Sequence, residues 1–222
     1  ICYNAEMIKN FSLLFFGISL SFSVFAGTKK SETLQKVSQS YRSAKLVEMD
    51  VEKTVKLELQ GRETKYQGKI YLANGKFRWE NTTPEETLLV FDGTTIWSVQ
   101  TPPKEFGGAP QIARGKINKK TKSQILISSL LGGDLNEKFK VVKESKDKES
   151  TTLEVAPKGN DLQVKSLNLV VDNKKSQLKE LSYKDDLGNQ TTMKFSKIQF
   201  MKKADNSKFK YQPPKGAPVT EL

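Results

Sequence analysis

Along residues 47–59 the odd positions read Val47, Met49, Val51, Lys53, Val55, Leu57 and Leu59, and the even ones Glu48, Asp50, Glu52, Thr54, Lys56 and Glu58. A period of two with apolar residues on one side predicts a long strand with one face buried and one wet. Only Lys53 breaks the pattern. Residues 66–72 place Tyr66, Ile70 and Leu72 on one face, and Asn74-Gly75 predicts a tight hairpin into residues 76–80. Strands are also predicted over 87–91 and 95–99, joined through Asp92-Gly93, and then over 139–143, 151–155, 164–171, 178–183 and 190–200. In the last of these Met193 and Phe195 are odd but Ile198 and Phe200 even, so a bulge or bend is predicted near Ser196-Lys197.

Two helices interrupt the strands. Ser31 is placed to cap one in which Leu34, Val37 and Tyr41 recur at helical spacing. The other runs over residues 122–131, carries Ile125, Leu126, Ile127, Leu130 and Leu131, and stops at Gly132-Gly133. It follows a Pro-, Gly- and Lys-rich loop over residues 101–120, with a short strand expected near Gln111 to Arg114. Some ten strands with few helices predict a mainly β fold, one large antiparallel sheet curling to bury its apolar face. Two short helices cannot cover such a face, but they can plug the mouth of an incompletely closed barrel.

Composition narrows the chemistry. The 222 residues include no histidine and one cysteine, Cys2. That excludes Ser-His-Asp and Cys-His nucleophile systems, thiolate or imidazole metal sites and a disulfide framework, so no enzyme, metal or cofactor is expected. Met7, Lys9, an uncharged apolar run over residues 11–25 and a small residue at Ala26 predict a secretory signal peptide cleaved after Ala26. Cys2 precedes Met7 and is lost with it. Residues 1–26 are thus expected to be leader and 27–222 a single exported domain. With no cysteine after Ala26, an N-terminal lipid anchor is not expected. The net charge of +12 is spread along the chain, as on solvated strand faces, and export argues against nucleic acid as a partner. Asp185-Asp186 beside Gly188-Asn189 reads as a turn and not as an acid/base pair.

Three stretches carry a family resemblance: Tyr66-Gln67-Gly68-Lys69-Ile70-Tyr71-Leu72, then Phe77-Arg78-Trp79, then residues 84–97 from Pro84-Glu85-Glu86 through Asp92-Gly93 to Trp97. Together with the ending Phe209-Lys210-Tyr211-Gln212-Pro213-Pro214, they make the chain resemble the outer-membrane lipoprotein carrier family, LolA. The resemblance implies an unclosed antiparallel β-barrel with a helical lid. It also implies a monomeric periplasmic chaperone carrying lipid-modified proteins from an inner-membrane transporter to an outer-membrane receptor, with transient membrane contact. Such a carrier is physically necessary, since exposing one ~16-carbon acyl chain to water forfeits ~13 kcal/mol.

On this reading the acyl surface comprises Val47, Met49, Val51, Val55, Leu57, Trp79 and Trp97 on the sheet, with Ile125, Leu126, Ile127, Leu130 and Leu131 on the lid. Leu59 is expected on the same concave face. Arg78, alternating away from Phe77 and Trp79, reads as a solvated strand residue. One departure stands out. The family commonly has an arginine and proline before the Phe-Arg-Trp motif, the arginine latching the lid; this chain has Ala73-Asn74-Gly75-Lys76 there. Two other readings share the fold, the family's anchored companion receptor and a binding module for another lipid, glycolipid or mislocalised lipoprotein. The missing anchor cysteine disfavours the receptor.

Overall fold

The computed structural model describes residues 30–103, 105–117, 126–159 and 164–222. The leader expected over residues 1–26, and Ile125, lie outside them. Helix α1 spans Glu32–Ser43, and the Ser31 hydroxyl accepts from the Leu34 amide at its start. Strands β1 (Leu46–Leu57), β2 (Arg62–Ala73), β3 (Lys76–Thr83), β4 (Thr87–Phe91), β5 (Thr95–Gln100) and β6 (Gln111–Lys116) follow as a meander. Helices α2 (Leu126–Leu131) and α3 (Leu135–Lys138) come next. The chain returns through β7 (Phe139–Lys146), β8 (Ser150–Pro157), β9 (Leu167–Asp172), β10 (Gln177–Lys184) and β11 (Gln190–Met201), and ends with β12 (Val219–Glu221).

All twelve strands form one sheet in the order β12-β6-β5-β4-β3-β2-β1-β11-β10-β9-β8-β7. Every described pairing is antiparallel except β12 against β6. The two end strands do not pair with each other, so the barrel is unclosed. One core joins Met49, Ile70 and Phe77 of the first half to Leu153, Leu169 and Leu181 of the second, with Leu34 and Val37 of α1 and Ile127 of α2 among them. The sheet therefore curls around the helices.

The predicted bulge is present. Glu48 opposes Gln199 and Asp50 opposes Ser196, which leaves Lys197 and Ile198 opposite the single residue Met49, with Lys197 at φ 49°. The extra residue lets Phe195, Ile198 and Phe200 all join the core despite their mixed parity. A second irregularity lies between β2 and β3, where Gln67 opposes Thr83 but Gly68 opposes Asn81. Gly68 is required there, because a Cβ would stand 2.0 Å from the Glu80 carbonyl oxygen.

Two expectations need correction. β1 ends at Leu57, and Leu59 lies in a 3-10 turn, Glu58–Gln60, 83% exposed and off the concave face. Arg78 is not simply solvated. It pairs with Glu80 and donates to the Lys208 carbonyl at 3.1 Å, which ties the chain after β11 to the outside of the sheet. From there Tyr211 packs on Trp97, and Val219 reaches Ile112 as β12 begins. A four-residue α3 and a parallel β12 are additions that the residue pattern does not predict.

Candidate functional site

The inner face of the sheet is built by alternation. On β1 it carries Val47, Met49 and Val51, which are buried, and then Lys53, Val55 and Leu57, which are half-buried. Ile70 and Leu72 of β2, and Phe77 and Trp79 of β3, continue the buried part sideways. The interior is therefore sealed at the end where α1, α2 and α3 sit, and less covered toward the β1–β2 turn.

The helices are locked to one another by buried polar contacts. The Ser31 amide donates to Asn136 Oδ1 at 2.8 Å, and Asn136 Nδ2 returns a bond to the Ser31 carbonyl at 3.0 Å. Ser38 Oγ donates to the Leu34 carbonyl and accepts from the Leu135 amide at 2.9 Å. Lys158 Nζ donates to the Asn136 carbonyl at 2.6 Å. The bonds of Ser31 and Ser38 hold α3 on α1, and that of Lys158 ties α3 to the end of β8. Between α3 and α2 lie Gly132 and Gly133, while Ile127, Leu130 and Leu131 of α2 are buried in the core. Leu126 opens α2, and its side chain lies outside the described residues.

Trp79 and Trp97 separate onto opposite faces. Trp79 faces inward among the core residues. Trp97 pairs with Val90, which pairs with Arg78, so it shares the outer face with Arg78 and packs at a tilt against Tyr211, ring centres 5.5 Å apart. It is brought to the C-terminal segment and not to the interior, a correction to its place in the acyl surface.

A charged group also lies on the inner face, Lys53. Its ammonium stands 5.3 Å from the centre of the Tyr66 ring and 5.4 Å from that of Trp79, both within cation–π range. Burial pushes its pKa below the ordinary lysine value. On the outer face several charges are paired. Asp50 pairs with Lys197 at 2.9 Å and Lys69 at 3.0 Å, and these bonds hold its carboxyl below the usual range. Sequence reasoning found Lys53 as a break in the pattern without assigning it a role.

Cavities open on the surface of the described residues, two of them with distinct linings. One, of about 450 Å³, lies at the sealed end between Tyr41, Arg42 and Lys45 behind α1, Leu72 and Asn74 of the β2–β3 hairpin, and Leu131 and Gly132. The other, about 520 Å³, is a charged groove lined by Asp50, Glu52, Lys69 and Lys194. Deeper at the sealed end, Tyr41 packs edge-on against Phe200 and accepts from the Leu178 amide, and burial raises its phenol pKa. Among the described residues no helix is long and apolar enough to cross a membrane, and no metal-binding group of acidic, histidine or cysteine side chains gathers.

Comparison with known proteins gives a consistent family. The model described as outer membrane lipoprotein carrier protein LolA matches residues 43–212. The outer-membrane lipoprotein carrier protein of Chromobacterium violaceum is 26% identical over 161 residues, covering 72% of this chain and 74% of that protein. That of Chromohalobacter salexigens is 28% identical over 154 residues, covering 69% of this chain and 70% of the relative. That of Coxiella burnetii is 25% identical over 151 residues, and the match spans 66% of the relative's length. Among solved structures, an uncharacterized conserved protein from Thermus thermophilus shares the fold with a TM-score of 0.53 at 13% identity, covering 86% of this chain and 98% of that one. The match over residues 43–212, on a curled unclosed sheet around short helices, places this chain in the LolA family of outer membrane lipoprotein carrier proteins.

Proposed function

We propose that this chain is a periplasmic carrier that shields the acyl chains of lipid-modified proteins between an inner-membrane lipoprotein-releasing transporter and an outer-membrane receptor. Its work is binding and transfer, with no bond made or broken. The supporting observation is the plug: Ile127, Leu130 and Leu131 of α2 occupy the interior, with two glycines between them and an α3 that is fastened to α1. A helix tethered at a fixed point through a glycine pair can withdraw as a unit. Transfer needs this arrangement, because a pocket that buried every methylene permanently would not release its load. Val47, Met49, Val51 and Trp79 line the surface the plug would vacate, and Val55 and Leu57 extend it toward the β1–β2 turn.

The test is thiol accessibility at Ile127, in full-length protein carrying Cys2→Ser and Ile127→Cys. The thiol should be protected in the empty protein, and a tripalmitoylated lipopeptide should speed its labelling by about tenfold or more. Bound lipopeptide with unchanged labelling would rule out the moving plug. Failure of the lipopeptide to co-fractionate with the protein would rule out the carrier.

A further inference from the structure

The inner row of β1 is apolar on both sides of Lys53, and no carboxylate pairs with that lysine among the described residues. The acidic residues of β1, Glu48, Asp50 and Glu52, all alternate onto the outer face, where Glu48 and Asp50 already hold Lys69. Lys53 is therefore an uncompensated cation facing an apolar interior, supported by two aromatic rings. Two further polar atoms nearby are buried without a partner, Trp79 Nε1 and Asn81 Oδ1, and Trp79 is only 7% exposed. Orphaned buried polar atoms are rare enough in folded proteins that each calls for an account.

The register places these groups at neighbouring positions of the inner face. Gly68 lies in the inner row of β2 between Tyr66 and Ile70, opposite Val51 on β1 and Asn81 on β3. Tyr66 opposes Lys53, and Ile70 opposes Trp79. Gly68 lets the β3 backbone come close there, the Glu80 carbonyl filling the place a Cβ would take, so Trp79 and Asn81 are drawn toward the strand that carries Tyr66, the neighbour of Lys53. Asn81 Nδ2 bonds the Thr87 hydroxyl at 2.8 Å. That hydroxyl can donate as well as accept, so a half-turn of the amide keeps the bond and presents Nδ2 to the interior.

We propose that Lys53, Trp79 and Asn81 form a polar anchor within the interior for acyl ligands that carry an anionic head, a carboxylate or a phosphate. This goes beyond the neutral acyl groups of a lipid-modified protein, and it rests on the acyl-binding reading given above. The chain of such a ligand lies along Val55, Leu57 and the vacated inner face, while its head accepts from the ammonium and the indole N–H. An anion in that position gives the buried ammonium the partner it lacks, which is where a charge-assisted hydrogen bond is strong.

Three ligands with one chain length separate the outcomes: dodecanoate, dodecyl phosphate and 1-dodecanol, titrated into the full chain and followed by Trp fluorescence and calorimetry. At least one anion should bind about tenfold or more tightly than dodecanol. Lys53→Met should reduce that advantage below about twofold without weakening dodecanol binding, and Lys53→Arg should retain it. Trp79→Phe, which keeps a ring and removes the N–H, should lower anion affinity by about threefold. The better of the two anions identifies the head group. Equal binding of all three ligands, or an anion preference that survives Lys53→Met, overturns the anchor and leaves the carrier standing. Binding of none overturns both.

Discussion

A lysine held among apolar neighbours without a counter-charge has a cost, and that cost has a definite pH dependence. The groups facing Lys53 are Tyr66, Trp79 and Met193, none of them a carboxylate, and burial lowers its pKa from the ordinary 10.5. In the interval between the folded and unfolded values the unfolded chain binds more protons, so stability rises with pH there. Below the folded value the full penalty applies, and above 10.5 it vanishes. Lys53→Met should therefore raise the melting temperature at pH 7, and its advantage over the natural chain should shrink as the pH is raised toward 10.5. Thermal melts of both proteins at neutral and alkaline pH measure this. No gain at pH 7, or one that does not diminish, would mean that the ammonium is better solvated than its surroundings imply. Arg78 illustrates the opposite situation on the outer face, a cation fully engaged by Glu80 and the Lys208 carbonyl.

Between α1 and α3 the decisive contacts are polar. Asn136 is 5% exposed and makes two bonds to the Ser31 backbone, so Asn136→Ala leaves the buried Ser31 amide without a partner, while the Ser31 carbonyl keeps the Gln35 amide. It should cost about 1–3 kcal/mol in urea denaturation, whereas a change below ~0.5 kcal/mol would show that water replaces the side chain. The strands were legible where one face is wet: β1 could be read from its alternation, and the β11 bulge from the switch between Phe195 and Ile198. Alternation fails for β4 and β5. There the C-terminal segment covers the outer face, so Val90, Trp97 and Val99 outside are matched by Leu89, Phe91 and Ile96 inside, and nothing in the residue pattern tells which face of Trp97 is which. β12 has three residues and exists only because the edge of β6 is there to receive it, and α3 is a single turn capped by Asp134, too short for periodicity to register.

At the scale of the molecule the interior is graded, sealed around Met49 and partly open around Val55. A charge placed at the two positions should report the gradient. Met49→Asp is expected to cost about 3 kcal/mol or more, because the carboxylate has no partner in the core. Val55→Asp should cost about 1 kcal/mol, since the side chain retains access to water. Denaturant midpoints compare the two, and equal losses would mean that the interior is uniformly closed. The placement of β1 between β2 and β11 has a further consequence, which concerns time. Its pairing with β2 spans one tight turn, but its other edge waits for a strand in which Gln190 meets Lys56 and Met201 meets Leu46. During synthesis the first six strands and both ends of the helical plug exist before that edge is filled, and long-range pairings of this kind form slowly. The pairing of β1 on both edges consequently waits until nearly the whole chain has been made, although the hairpins from β1 to β6 are local and can form before it.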